Sequence, residues 1–269
     1  MRESDIAVVD LFAGPGGLGE GFASLSDTFK ILVSVESSAP AHRTLRLRAF
    51  KRILERQGRS LESYYAYVKG TTPTPFTSDN EDAWRSAEDE AHHLTLGDKE
   101  HDLTLSRKLD EERLQLRDNW VLIGGPPCQA YSLVGRARNR GNKRYVPEED
   151  SRHFLYLEYL KLIQHYRPAV FVMENVKGML TSKVGGQRIF HQILNDLTGP
   201  DEALGRPKDG PGYRIHALTD HDTVFRRGDD VEAFLKRFGH EAFLVRAEDY
   251  GVPQARHRVF LIGVREDLQ

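Results

Sequence analysis

The stretch from Ile6 to Glu36 limits the fold more than any other. Ile6–Phe12 (IAVVDLF) is a short apolar run interrupted by Asp10, with the β-branched density of a strand buried on both faces. Ala13-Gly14-Pro15-Gly16-Gly17-Leu18-Gly19 follows, then a helix-like segment to about Leu25 and a second strand at Ile31–Val35 that runs into Glu36. Strand, glycine turn, helix and strand form a βαβ unit. The predicted fold class is therefore α/β, a mostly parallel sheet with helices on both faces. Gly14, Gly16 and Gly19 match G-x-G-x-x-G, in which glycine lets backbone and helix N–H groups approach a ligand. Glu36 stands where an acid accepts hydrogen bonds from ribose hydroxyls. The unit reads as a nucleoside site and leaves NAD and S-adenosylmethionine both open.

A second string, Val121–Arg138 (VLIGGPPCQAYSLVGRAR), places chemistry on the same kind of sheet edge. The apolar run Val121–Ile123 breaks at Gly124-Gly125, and two prolines make a rigid turn before Cys128, the single cysteine of the chain. Ligands of open parallel sheets bind at strand C-terminal ends, where this turn puts Cys128. By default a lone cysteine is a small buried apolar residue. Here it is followed by Arg136, Arg138, Arg140, Lys143 and Arg144, with no acid until Glu148. The formal net charge of the chain is only −2, so contact with a polyanion has to use such a local patch. One cysteine excludes a disulfide framework and a multi-cysteine metal site, so no metal is predicted, and it fits a reducing cytoplasm. The start Met1–Asp5 is charged and has no leader pattern, and no apolar run approaches the about 18 residues of a membrane span.

Gly125-Pro126-Pro127-Cys128 resembles the catalytic Pro-Cys motif of the DNA cytosine-5 methyltransferases, and three further strings resemble that family's motifs in the same order. Asp10–Gly17 is similar to its first motif, Glu174-Asn175-Val176 to its second catalytic signature, and Gln254, Arg256 and Arg258 to its Gln-x-Arg-x-Arg motif. The resemblance implies a Rossmann-like S-adenosylmethionine-dependent methyltransferase fold. It implies a methyl group passed to C5 of a flipped-out cytosine in double-stranded DNA, through a covalent bond from Cys128 to C6. Glu174 would hold the N3 and amino edge of the base, Arg258 the O2 side, and Arg256 the loop and nearby phosphate. Phe12, Gly14, Gly16, Gly17 and Leu18 would line the donor pocket, with Glu36 on the ribose and Pro127, Gln129 and Leu155 beside the donor. Leu96-Gly97-Asp98 resembles a third motif whose Asp binds the adenine amino group. A related branch with the same Pro-Pro-Cys and Glu-Asn-Val strings modifies tRNA, so an RNA substrate is the alternative. A catalytically incomplete subunit that needs a partner chain is another.

The remaining pattern gives the organisation. Pro40–Gln57 is a helix with Leu47, Phe50, Ile53 and Leu54 on one face, and Ala169–Met173 is a strand that places Glu174 on the edge carrying Cys128. Residues 1–269 read as one catalytic domain with inserts at 58–116, packed beside the sheet, and at 198–240. Family members continue past the position of Val264 into a target-recognition region. The expectation is that such a region, in a longer chain or a second subunit, selects the DNA site.

Overall fold

The computed structural model describes residues 6–25, 28–116, 119–127, 152–184 and 187–268, which form two compact units, 1–116 and 117–269. Cys128, Gln129 and the basic loop 132–144 lie outside the described residues.

In the first unit, β1 (Ile6–Leu11) pairs in parallel with β2 (Phe29–Glu36) through α1 (Gly17–Ala23). All of β1 after Ile6 is buried, as its unbroken apolar run requires of a strand covered on both faces. Phe12 leaves the strand at φ 56°, and Gly14 and Gly16 continue in left-handed backbone at 57° and 92°. Helix α2 (Ala39–Arg56) starts on Pro40 and buries Leu45, Ala49, Phe50 and Leu54. Leu47 and Ile53 lie at the margin of that face.

Segment 58–116 does more than pack beside the sheet. After α3 (Glu62–Val68) and α4 (Glu81–Glu90), residues Ala91–His93 add a third parallel strand, β3, outside β2, in the register Ser34↔Ala91 to Glu36↔His93. Ala83 and Ala87 of α4 close on Ala49, Phe50 and Leu54, and Trp84 is wedged between Phe50 and Phe76 with the Arg46 guanidinium 4.5 Å above it. Helix α5 (Lys99–Leu116) follows.

The second unit begins with β4 (Trp120–Gly124), which lies parallel to β5 (Val170–Val176), the two joined by a crossover containing α6 (Arg152–Tyr166). Beyond β5 the pairing changes hand. A small hairpin, β6 (Lys183–Val184) with β7 (Gln187–Arg188), leads into α7 (Ile189–Thr198). β8 (Tyr213–His216) pairs with β9 (Val224–Phe225), and β10 (Leu244–Arg246) pairs with β11 (His257–Arg265), both antiparallel. β11 lies antiparallel between β5 and β8, so the 198–240 segment also feeds the sheet. No helix among the described residues is long and apolar enough to cross a membrane.

Gly263 faces Phe171 across the β5–β11 ladder, and a Cβ there would lie 2.1 Å from the buried ring. A buried aromatic ring on a central strand has no room to retreat. Gly263→Ala should therefore cost about 1–3 kcal/mol by overpacking, read as a lowered midpoint in urea unfolding. An unchanged midpoint would show that the ring can move aside.

Candidate functional site

The first unit builds a concave backbone edge. Gly14 N–H donates to Glu36 Oε2 at 2.8 Å, and Ser38 N–H donates to Oε1 at 2.6 Å. Glu36 thus ties the glycine turn to the end of β2 while its remaining lone pairs stay open to hydroxyl donors. A Cβ on Gly14 or Gly17 would meet nothing within 4 Å, so open space lies in front of the turn, whereas one on Gly16 would press on Leu45. Phe12 and Leu18 are half-buried at its rim. An open glycine face with a fixed carboxylate beside it fits the nucleoside and amino-acid parts of S-adenosylmethionine.

Asp98 sits at the start of the helix that follows β3. It caps α5, its Oδ1 accepting the N–H groups of Glu100 at 3.0 Å and His101 at 3.2 Å. The backbone N–H of His101, then that of Glu100, hold its carboxyl below the usual range. In the β2–β3 register the residue beside Glu36 is His93.

Behind the turn lies Asp10, 1% exposed, with neither carboxyl oxygen in good hydrogen-bond geometry. A Cβ on Gly19 would stand 2.7 Å from Asp10 Oδ2, so the last glycine of the fingerprint makes room for this acid. Burial pushes the Asp10 carboxyl up to about 8, outweighing the backbone N–H of Gly19, with Glu90 raising it further and Arg52 opposing. Arg52 bridges Glu20 and Glu90, and burial raises buried Glu90 to about 6.

In the second unit the two arginines of the Gln-x-Arg-x-Arg string converge on Glu174. Its Oε1 lies 2.8 Å from Arg258 Nε and 3.5 Å from Arg256 Nη2. Glu174 belongs to β5 itself, opposite Phe260 of β11, rather than following the strand. Gln254 lies in a turn before β11 and is exposed, so the three side chains do not share one extended face. Ala247 N–H to Arg256 O (2.9 Å) and Glu248 to His257 (2.6 Å) close the loop that carries them.

The carboxylate also reaches the turn that leads to Cys128. A Cβ on Gly125 would be 3.2 Å from Glu174 Oε2, and buried Asn175 donates through Nδ2 to Pro126 O at 3.1 Å. Asn175 Oδ1 accepts the next N–H, that of Val176, at 2.9 Å. Asn175 is a functional neighbour that the string Glu-Asn-Val contains but spacing does not explain: its role is to fasten β5 to the Pro-Pro turn. Pro127 and, on α6, Leu155 are half-buried.

The parallel strand pairs with a glycine turn and a strand-end acid make a Rossmann-like α/β fold. The model of the C-5 cytosine-specific DNA methylases matches residues 90–200 and 228–269, and the chain belongs to that family. The Type II methyltransferase M.Bpa9945I of Bacillus paralicheniformis is 30% identical, over 97% of this chain and 54% of that protein. The Type II methyltransferase M.BspRI of Lysinibacillus sphaericus is 34% identical over 55% of this chain and 24% of that protein. The chain thus spans about half the length of the first of these relatives. Among solved structures, the S. pombe Dnmt2 methyltransferase has a TM-score of 0.46 at 14% identity, covering 96% of this chain and 50% of that one.

Asp10 sets a pH dependence. The folded state keeps its proton up to about 8, whereas the unfolded chain releases it near the ordinary value of about 4. Stability should fall as pH rises through that window, by up to about 1.4 kcal/mol per pH unit. From pH 6.5 to 8 Glu90 is already largely ionised, so urea unfolding of Asp10→Asn against wild type isolates Asp10. The variant should lose the slope. An equal slope in both would mean that Asp10 ionises normally inside the fold.

Proposed function

We propose that this chain carries the methyl-donor site and the cytosine-activating groups of a DNA cytosine-5 methyltransferase. The cell would use it in the cytoplasm as the modification enzyme of a restriction-modification system. The observation that carries this reading is the Glu174 carboxylate, held by Arg258 and Arg256 and lying against the Gly-Gly-Pro-Pro turn that runs into Cys128. Family membership and the Type II methyltransferase relatives support it.

Cytosine C5 is too weak a nucleophile to be methylated unaided. A Cys128 thiolate adding to C6 makes an enamine with a nucleophilic C5, and covalent catalysis of this kind divides one hard step into easier ones. Glu174 would hold the N3 and amino edge of the base and favour protonation of N3 as C6 is attacked. Arg258 and Arg256 fix the carboxylate from one side, so its other oxygen, over Gly125, is oriented by the fold before the base arrives. S-adenosylmethionine, which Gly14, Gly17 and Glu36 would hold, would supply the methyl group and leave as S-adenosylhomocysteine. Loss of the C5 proton then expels the Cys128 sulfur and regenerates the aromatic ring. The base must leave the duplex to reach these groups, at a cost of a few kcal/mol.

Radiolabelled methyl transfer by the full-length protein to duplex DNA and to tRNA tests the reading. DNA should be methylated at cytosine C5, Cys128→Ser should abolish transfer, and Glu174→Gln should slow it by about 10²–10⁴-fold. DNA carrying 5-fluorocytosine should be trapped covalently on the wild type, because C5 then has no proton to lose. Trapping that survives Cys128→Ser would sink the assignment, and transfer confined to tRNA would move the substrate to RNA.

A further inference from the structure

Two histidines stand next to Glu36 and have no part in the reading above. His42, on the second turn of α2, and His93, at the C-terminal end of β3, stack with ring centroids 5.1 Å apart and planes 21° from parallel. Each ring is latched to the other's strand connection. His42 Nε2 lies 3.0 Å from Ala91 O, and His93 Nε2 lies 2.9 Å from Ser37 O, directly after Glu36. A carbonyl oxygen can only accept, so both Nε2 atoms carry the hydrogen, and in the neutral rings Nδ1 is the bare acceptor. Burial, helped by the nearby charge of Arg46 and opposed by the Ala91 hydrogen bond, keeps the His42 ring below the usual imidazole range. His93 is exposed at the strand end, with Nε2 committed to the Ser37 carbonyl.

The sheet order decides what would meet that acceptor. A ligand of a parallel sheet lies across the strand C-terminal ends. With the ribose on Glu36 at the end of β2, the group one strand further out, over β3, is the base attached to the ribose. Glu36 and His93 are register partners, so the two side chains occupy neighbouring positions on that edge. Asp98 lies beyond the end of β3, exposed, with one oxygen committed to the cap of α5.

We infer that His93, oriented by the Ser37 carbonyl and by stacking on His42, is the residue that recognises the donor's adenine, its Nδ1 accepting the 6-amino group. This rests on the donor-site reading of Glu36 and reassigns the adenine contact from Asp98 to His93. An amino group satisfies the acceptor. The oxygen of a hypoxanthine at the same place would put two acceptors face to face and leave both unpaired.

Calorimetric titration of the 269-residue chain with S-adenosylhomocysteine and S-inosylhomocysteine tests the inference without any turnover. The wild type should prefer the adenosyl compound by about tenfold, the scale of one hydrogen bond. His93→Phe keeps a ring against His42 but removes the acceptor, and should bring the two affinities together. His93→Asn, with an amide oxygen, should restore part of the preference, and Asp98→Ala should keep all of it. Preference that survives in His93→Phe, or vanishes in Asp98→Ala, overturns the inference while leaving the donor site standing. If the wild type binds neither compound, the donor-site reading fails and the inference fails with it.

Discussion

The ladder between β5 and β11 joins the core of the second unit to its candidate site. At one end Phe171 is packed over Gly263, and at the other Glu174 is gripped by Arg258. The two ends are coupled by the period of the strand. Phe171, Met173 and Asn175 alternate with Val172, Glu174 and Val176, so sliding β11 by one residue would turn its whole buried set outward and carry Arg258 away from the carboxylate. β11 is also held on its other side by β8, which makes such a slip more costly still. The antiparallel insertion of β11 thus gives the site a precision that a free loop carrying the same arginines would lack.

Buried charge under the glycine turn works differently. An ionised carboxylate away from water and hydrogen-bond donors is expensive, so Asp10 keeps its proton instead, and Glu90 moves in the same direction despite its contact with Arg52. A short neutral acid fills the space that Gly19 opens between strand and helix. The third glycine of the fingerprint is therefore explained here by the side chain of Asp10 as well as by close packing of helix on strand.

Much of this was legible in the sequence because the relevant signals are local. A buried parallel strand, a glycine turn, a strand-end acid and a Pro-Pro stop each state themselves within about ten residues, and β1, β2, β4 and β5 lie where those signals place them. What was not legible depends on partners distant in the chain. Ala91–His93 has no β-rich composition and becomes a strand because β2 has an open edge. Arg256 reads as a phosphate or loop residue by its string, yet its guanidinium lies beside Glu174, more than eighty positions earlier in the chain. The cap bond that Asp98 makes to the helix after β3 is likewise not stated by the short string Leu-Gly-Asp. The Cys128 turn is the reverse case: its string speaks most plainly, while the cysteine itself lies outside the described residues.

Each unit carries one glutamate near the C-terminal end of a buried strand, and the two are held by different partners. Glu36 is fixed by the backbone N–H groups of Gly14 and Ser38, which cannot rotate away or change protonation. That suits a permanent acceptor for neutral hydroxyls, whose energy comes from ordinary charge-assisted hydrogen bonds. Glu174 is fixed by guanidinium groups on neighbouring residues of one segment, so its carboxylate is oriented by charges that a bound anion or base can share. The scaffold places both acids by the same rule, at the C-terminal end of a buried strand. What differs between them is whether backbone N–H groups or guanidinium side chains hold the carboxylate.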